Sequence, residues 1–314
     1  MKAVILDAAT LGDDIDLSPL RNQVDALDIH ALTRDDQRVA RLQGATVAIV
    51  NKVVLDAEVL EALPELKLIC VLATGLNNID TETARQRGIA VRNVTAYGTA
   101  SVAQHTLMLM LALANRLPLY QREVVDGGWG ESPFFCLMGH TTLQLAGKRL
   151  VIVGQGELGS RVAQLASAFD MQVTFAARPG NEANDARPAL ADLLADADIV
   201  SLHCPLSDAT HHLFDAQRLA CMKAGALLVN CARGGIIDEH AALDSLRAGH
   251  LGGLSVDSLP AEPPRDGHAL IAALREPLNL IVTPHNAWIT PEARANIVYL
   301  TVENLQQWRE IGAS

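Results

Sequence analysis

No stretch of this 314-residue chain is apolar for long enough to cross a membrane. The longest clean run, residues 107–114 (LMLMLALA), falls far short of the ~20 residues a spanning helix needs. Basic residues are scarce, 25 Lys and Arg against 36 Asp and Glu, for a formal net charge of −11. That balance argues against nucleic acid as a main partner, because phosphate backbones are held by a basic face. Cysteines are few and odd in number: Cys70, Cys136, Cys204, Cys221 and Cys231 are dispersed and mostly in apolar segments. They read as reduced thiols of a cytoplasmic protein rather than a disulfide framework. No Cys/His spacing resembles a zinc site, and the His211-His212 pair reads as part of a polar loop or helix start, so no metal is expected. Tandem repeats and low-complexity segments are absent. The opening MKAVILD turns acidic too soon for a signal peptide and reads as a first strand.

What is present is most informative at residues 149–166 (RLVIVGQGELGSRVAQLA). An apolar strand runs into G-x-G-x-x-G and then an amphipathic helix. Gly154 allows the tight turn, Gly156 lets a pyrophosphate approach the backbone, and Gly159 lets the helix pack closely on the sheet. The new helix presents free N–H groups and a partial positive charge to phosphate. Dinucleotide binding follows; a purely structural glycine turn is the alternative.

A second absence bears on which dinucleotide. NAD-preferring sites place Asp or Glu at the end of the second strand, ~20 residues on, to hold the ribose 2′-hydroxyl. Here that strand reads MQVTFAA over residues 171–177, Ala177 stands at the acidic position, and Arg178 follows. No other acid lies on that strand end in the sequence. A guanidinium can pair with a 2′-phosphate bidentately, so NADP(H) is expected over NAD(H), with NAD(H) still possible. The alternative is a solvated loop arginine.

Strands and helices alternate throughout, and the length suits two domains of parallel α/β type. Strands are expected at 2–6, 47–50, 68–72 and 89–91, then at 199–203, 227–230, 253–256 and 280–283. Helices are expected at 56–63 and 81–87, with a long one at 99–116 and a last one at about 291–308. A Gly-, Pro- and aromatic-rich loop covers 126–139. The last helix is placed to return to the first domain, making that domain discontinuous: 1–98 with 288–314, around a cofactor domain at 99–287.

Three polar residues follow late strands of the predicted cofactor sheet, where ligands of such sheets bind. Arg233 follows LLVNCA, Glu262 sits in DSLPAEPP, and His285 follows IVTP. Each alone has a plain reading as a surface ion pair, a solvated charge or a backbone partner. Converging on one cleft, they supply an anion clamp, an orienting carboxylate and a proton donor.

With these residues in place, the chain resembles the D-isomer-specific 2-hydroxyacid dehydrogenase family. The resemblance is carried by ATGLNNID (73–80), the glycine-rich unit, VNCARGG (229–235), residues 257–263 and PHNAW (284–288). AYGTASVAQHT (96–106) and HNAW are most similar to its glycerate dehydrogenase/hydroxypyruvate reductase branch. The resemblance implies two doubly wound parallel-sheet domains, a Rossmann-type cofactor domain and a flavodoxin-like substrate domain, around a cleft. It implies reduction of a small 2-keto acid to the D-2-hydroxy acid, and the reverse. It gives the substrate to backbone N–H groups near Thr74 and Gly75, to Arg233 and to His285. His285 is the proton donor, and Glu262 fixes its tautomer and favours imidazolium. Gly154, Gln155, Gly156, Glu157, Leu158 and Gly159 fall at the pyrophosphate, and Arg178 at the 2′-phosphate. Thr99, Cys204, Pro205, Cys231, Ala232, Asp257 and His285 fall along adenosine and nicotinamide, with Asp257 alternatively a turn cap. Trp288 walls the substrate pocket or packs between domains, and His105 reads as a packed structural histidine. Trp129, Phe134 and Phe135 lie in a region, 118–147, from which the family builds a homodimer; folding of this loop onto its own domain is the alternative. Two other functions stay open: the same fold on pyruvate, a bulkier 2-keto acid, formate or phosphite, and a dinucleotide sensor without turnover.

Overall fold

The computed structural model describes residues 1–312 and divides into two compact units, residues 1–98 with the segment from Ile289 onward, and Thr99–Trp288. Each unit has its own parallel sheet. In the first, β1 (Lys2–Ile5), β2 (Ala26–Ile29), β3 (Val47–Val50), β4 (Leu68–Val71) and β5 (Ala90–Asn93) lie in the order β2-β1-β3-β4-β5. In the second, β6 (Arg149–Val153), β7 (Gln172–Phe175), β8 (Ile199–Leu202), β9 (Leu227–Asn230), β10 (Gly253–Val256) and β11 (Leu280–Val282) lie in the order β11-β10-β9-β8-β6-β7. Every pairing is parallel.

The central strands β3, β4, β8, β9 and β10 are buried at every position. That is why β3 and β4 read as continuous apolar runs, and β8, β9 and β10 nearly so, with Ser201, Asn230 and Ser255 as their buried polar positions: helices cover both faces of a parallel sheet. Four of the helices between strands start at an aspartate. Asp56, Asp80, Asp215 and Asp238 each accept the backbone N–H three residues on, from Val59, Thr83, Arg218 and Ala241. Such caps satisfy amide groups that the first turn leaves unpaired.

The long apolar run belongs to a helix, Thr99–Ala114, with Ala103, Leu109, Met110 and Leu113 in the core of the second unit beside Val162 and Ala166 of the glycine-loop helix. No helix among the described residues is long and apolar enough to cross a membrane. Three features depart from the sequence pattern. Strand β2 is an edge strand with only Leu27 buried, so it carries little apolar signal. The last helix continues to Gly312. The region 118–147 is not all loop: Leu117–Val125 is helical, with Pro118 in the first turn, where its missing N–H costs nothing.

Both sheets reverse strand order at one point, β1/β3 in the first and β6/β8 in the second. Open α/β sheets bind ligands at such switch points, beyond the carboxyl ends of the strands.

Candidate active site

At the switch point of the second sheet, β6 ends in Gly154-Gln-Gly156. Gly154 has φ +107°, and a Cβ on it would sit 2.5 Å from the carbonyl oxygen of His203, which follows β8. Only glycine lets these two loops meet. A Cβ on Gly159 would lie 2.0 Å from the Gly154 carbonyl oxygen, so the third glycine seats the helix Glu157–Ser167 against the turn. Gly156 differs: a Cβ there meets nothing within 4 Å. Its missing side chain is not needed for packing, and the space stays open in front of the helix. Gly156 is also the N-cap and offers no side chain to the first-turn amides, unlike the four aspartate-capped helices. An open cradle before an uncapped helix end fits a pyrophosphate. The Thr99 hydroxyl donates to the Glu157 carboxylate at the same helix start.

The other predicted cofactor residues line the same carboxyl edge. Arg178 is exposed just beyond β7, next to the buried Ala177. Arg178, Pro179, Gly180, Cys204, Pro205 and Thr210 are among the residues lining a cavity of about 470 Å³ at the ends of β7 and β8. Cys204 and Cys231 are buried, and burial pushes their thiols up to about 11 and about 12, so both stay protonated and inert.

The sequence places no acid at the end of β7, but the fold does. The loop after the strand returns so that Ala177 N–H donates to the Pro188 carbonyl at 2.8 Å. Asp185 thereby accepts the Arg178 N–H at 2.8 Å. Arg187 pairs with Asp185 and donates to Gln155 Oε1 at 3.1 Å. Sequence spacing along the strand could not find these two, because a loop rather than a strand delivers them.

The three candidate catalytic residues follow three adjacent strands, β9, β10 and β11, whose ends are in register through Asn230, Val256 and Val282. After β9, the Asn230 side chain closes the turn. Its Oδ1 accepts from Ala232 N–H at 3.0 Å and its Nδ2 donates to the Arg233 carbonyl at 2.8 Å. A Cβ on Gly234 would lie 2.1 Å from the Leu259 carbonyl carbon, so this turn packs directly on the segment that leads to Glu262. Cys231, Ala232 and Gly234 are buried while Arg233 is exposed. The result is a guanidinium presented from a fixed loop, with Nη1 donating to the Ala232 carbonyl at 2.7 Å.

After β10, Glu262 Oε1 accepts Leu259 N–H at 2.8 Å, which orients the carboxylate. Its Oε2 lies 2.6 Å from His285 Nδ1. A carboxylate can only accept here, so Nδ1 carries hydrogen and Nε2 is the nitrogen left for chemistry. Both side chains are about one-third exposed, 31% for His285 and 33% for Glu262, so the pair is open to a ligand. His285 has φ +52°, a left-handed backbone that costs a non-glycine residue of order 1 kcal/mol and has to be held in place.

Asp257 holds it. This buried carboxylate accepts the Thr283 hydroxyl at 2.6 Å, Asn286 N–H at 3.0 Å and Ala287 N–H at 3.1 Å, on both sides of His285. Thr283 in turn lies 3.1 Å from His105 Nε2. Burial holds the His105 imidazole below the usual histidine range, against the pull of Asp257, so it packs as a neutral hydrogen-bond donor. Ser101 adds a 2.5 Å bond to the Ala287 carbonyl. Asn230, Thr283 and Ser101 are supports to which sequence reasoning assigns no role; for Asn230 and Thr283 the signal available was a polar residue at or beside the end of an otherwise apolar strand, and for Ser101 a polar residue in the first turn of an apolar helix. Trp288 ends this segment, half-buried, at the boundary of the second unit.

In the first unit, Thr74 and Gly75 follow β4, at the carboxyl edge of that sheet. The Thr74 hydroxyl donates to the Val94 carbonyl at 3.1 Å, and Asn93 Nδ2 donates to the Thr74 carbonyl at 2.7 Å. Among the described residues no cluster of His, Cys, Asp and Glu could hold a metal ion.

Comparison with known proteins agrees with this geometry. Residues 107–287 match the model of the D-isomer specific 2-hydroxyacid dehydrogenase NAD binding domain. Glycerate dehydrogenase of Methylorubrum extorquens is 39% identical over 86% of this chain and 85% of its own. Hydroxypyruvate reductase of Blautia hydrogenotrophica is 32% identical over 98% of this chain and 97% of its own. The crystal structure of the TT0316 protein from Thermus thermophilus superposes with a TM-score of 0.78 at 32% identity, covering 98% of this chain and 96% of that one.

Proposed function

This chain belongs to the D-isomer-specific 2-hydroxyacid dehydrogenase family, and we propose that it reduces hydroxypyruvate and glyoxylate to D-glycerate and glycolate, with NADPH preferred over NADH. The observation that carries the proposal is the 2.6 Å Glu262–His285 pair at the ends of β10 and β11, beside the exposed Arg233 of β9. These residues share one sheet edge with the open glycine cradle of β6. Similarity to glycerate dehydrogenase and hydroxypyruvate reductase supports the choice of substrate.

When bound, the nicotinamide supplies the hydride that reduces the keto carbon. Arg233 holds the substrate carboxylate and keto oxygen in one plane and polarises the carbonyl. His285 gives the Nε2 proton to that oxygen as it becomes a hydroxyl. Glu262 keeps the ring oriented and offsets the charge of the imidazolium before transfer. Oxidation of the 2-hydroxy acid needs Nε2 unprotonated, so the two directions have opposite pH dependence. The resemblance assigns backbone N–H groups near Thr74 and Gly75 to the substrate carboxylate, and leaves Trp288 either at the wall of the substrate pocket or packed between the domains. Cys231 and Ala232 fall on the nicotinamide side, and Cys204, Pro205 and Thr99 along the rest of the dinucleotide. Asp257 acts through the loop that it holds.

The NADPH preference rests on the buried Ala177 and the exposed Arg178. A homodimer built on region 118–147 is supported by its exposed apolar side chains: Val125 is 82% exposed, Phe134 69%, Phe135 91% and Met138 84%. Leaving such a cluster in water is costly. Five unpaired cysteines support a cytoplasmic setting.

The test is the initial rate of NADPH oxidation with each keto acid for the wild type and His285→Ala. The proposal expects turnover in the first and its loss in the second, with cofactor binding retained. An unchanged rate in His285→Ala removes His285 from the chemistry.

A further inference from the structure

The end of β7 carries two basic side chains rather than one. Asp185 Oδ1 accepts from Arg187 N at 3.0 Å and from Nε at 2.8 Å. Oδ2 accepts from Arg187 Nη2 at 2.5 Å and from Arg178 N at 2.8 Å. The remaining nitrogen of the fork, Nη1, donates to Gln155 Oε1 at 3.1 Å. Gln155 lies between Gly154 and Gly156, so Arg187 bridges the end of β7 to the glycine turn of the neighbouring β6. In this fold class the adenosine ribose of a dinucleotide lies at that place, with its 2′-position toward the end of the second strand.

We infer that Arg187 is a second cation for the 2′-phosphate of NADP(H), and that Asp185 is its holder rather than a ligand of the ribose. The inference rests on the NADPH reading above and deepens it. A carboxylate has about four lone-pair directions, and Asp185 already receives four N–H groups. It has no acceptor left for a ribose 2′-hydroxyl, the role that an acid plays in NAD-selective sites. Its side chain is 11% exposed against 29% for Arg187, so the cation is the more accessible member of the pair. The guanidinium holds the Asp185 carboxyl far below the usual carboxylate range, so the holder stays charged at any working pH.

The partner that Arg187 would give up is the weak one. Nη1 meets a neutral amide, whose replacement by a phosphate oxygen makes a charge-assisted bond. The bidentate grip through Nε and Nη2 stays intact and keeps the fork preorganised. Glu182 is the other carboxylate of this loop and is turned onto the backbone, its Oε1 accepting Gly180 N–H at 3.0 Å, so the two guanidinium groups are the cations that the loop offers to a 2′-phosphate.

The test is calorimetric titration of the wild type, Arg187→Ala and Asp185→Ala with 2′,5′-ADP and with 5′-AMP. The expected result is wild-type preference for 2′,5′-ADP. Arg187→Ala should lose roughly 10- to 100-fold in affinity for it while 5′-AMP binding stays within about twofold. Asp185→Ala should also weaken 2′,5′-ADP, because the fork loses its anchor. Retained 5′-AMP binding shows that each variant is folded at the site. A wild type that does not discriminate the two ligands overturns the NADPH reading and this inference with it. A wild type that discriminates, with Arg187→Ala unchanged, overturns this inference alone. Tighter 2′,5′-ADP binding by Asp185→Ala also overturns it, since the acid then opposes the phosphate.

Discussion

Gly156 and Gly159 stand three residues apart in one motif, yet replacing each by alanine has opposite consequences. At Gly159 the new Cβ falls 2.0 Å from the Gly154 carbonyl oxygen and 3.2 Å from Ile152 Cγ2. Backbone cannot swing aside as a flexible side chain does, so the helix Glu157–Ser167 must shift by about an ångström to restore van der Waals separation. Overpacking of this kind costs about 1–3 kcal/mol, or roughly 2–12 °C in melting temperature for a unit of this size. At Gly156 the Cβ meets nothing within 4 Å, and φ of −79° suits any residue. Reduced freedom of the unfolded chain gains about 0.4–1 kcal/mol, offset by the poorer cap that alanine makes. The melting temperature of Gly156→Ala without cofactor should therefore stay within a few degrees of wild type. What it loses is the phosphate's approach to the helix amides. Charge-assisted bonds are worth about 1.5–3 kcal/mol, so NADPH affinity should fall roughly 10- to 150-fold. Differential scanning calorimetry of the apoprotein and fluorescence titration of NADPH separate the two effects. Wild-type NADPH affinity in a normally folded Gly156→Ala would refute the placement of the pyrophosphate.

Other outcomes follow from single contacts. Glu262→Gln removes the charge 2.6 Å from His285 Nδ1. It should lower kcat for keto-acid reduction about 10- to 100-fold while the Kd of NADPH stays constant; a kcat within twofold of wild type contradicts the orienting role. Phe135, 91% exposed, should be needed for dimerisation. Phe135→Asp should give a monomer in sedimentation velocity, and a persistent dimer rules this surface out. Burial raises the Glu239 carboxyl from 4.5 to about 7. The folded state then binds a proton that the unfolded state has released, so this group's contribution to stability falls as pH rises from about 4.5 to about 7. Glu239→Gln keeps an acceptor for His268 Nε2, now 2.7 Å from Oε2, and should gain melting temperature relative to wild type as pH goes from 5 to 8. A difference that is flat with pH contradicts this reading.

Much of the site was legible because its determinants are local. The glycine spacing and the buried strands each act within a few residues, so they leave a pattern in the sequence. Arg233, Glu262 and His285 could be placed at one sheet edge because each lies in the loop that follows a late strand, β9, β10 or β11. Asp185 and Arg187 could not, since their place depends on how far the 178–187 loop folds back and not on the strand that precedes it. Asn230 and Thr283 were hidden for another reason: they act by holding backbone, and a polar residue at a strand end looks the same whether it holds a loop or faces water. The helix Leu117–Val125 opens a stretch that reads as a loop region; its Pro118 sits in the first turn, where proline is tolerated.

The most direct measurement is the initial rate of nicotinamide oxidation by hydroxypyruvate, followed by absorbance with NADPH and NADH side by side. Fast turnover with NADPH and much slower turnover with NADH is the predicted result. Turnover that favours NADH would contradict the roles given to Ala177 and Arg178. Tight NADPH binding with no turnover of hydroxypyruvate or glyoxylate would contradict the keto-acid reductase itself.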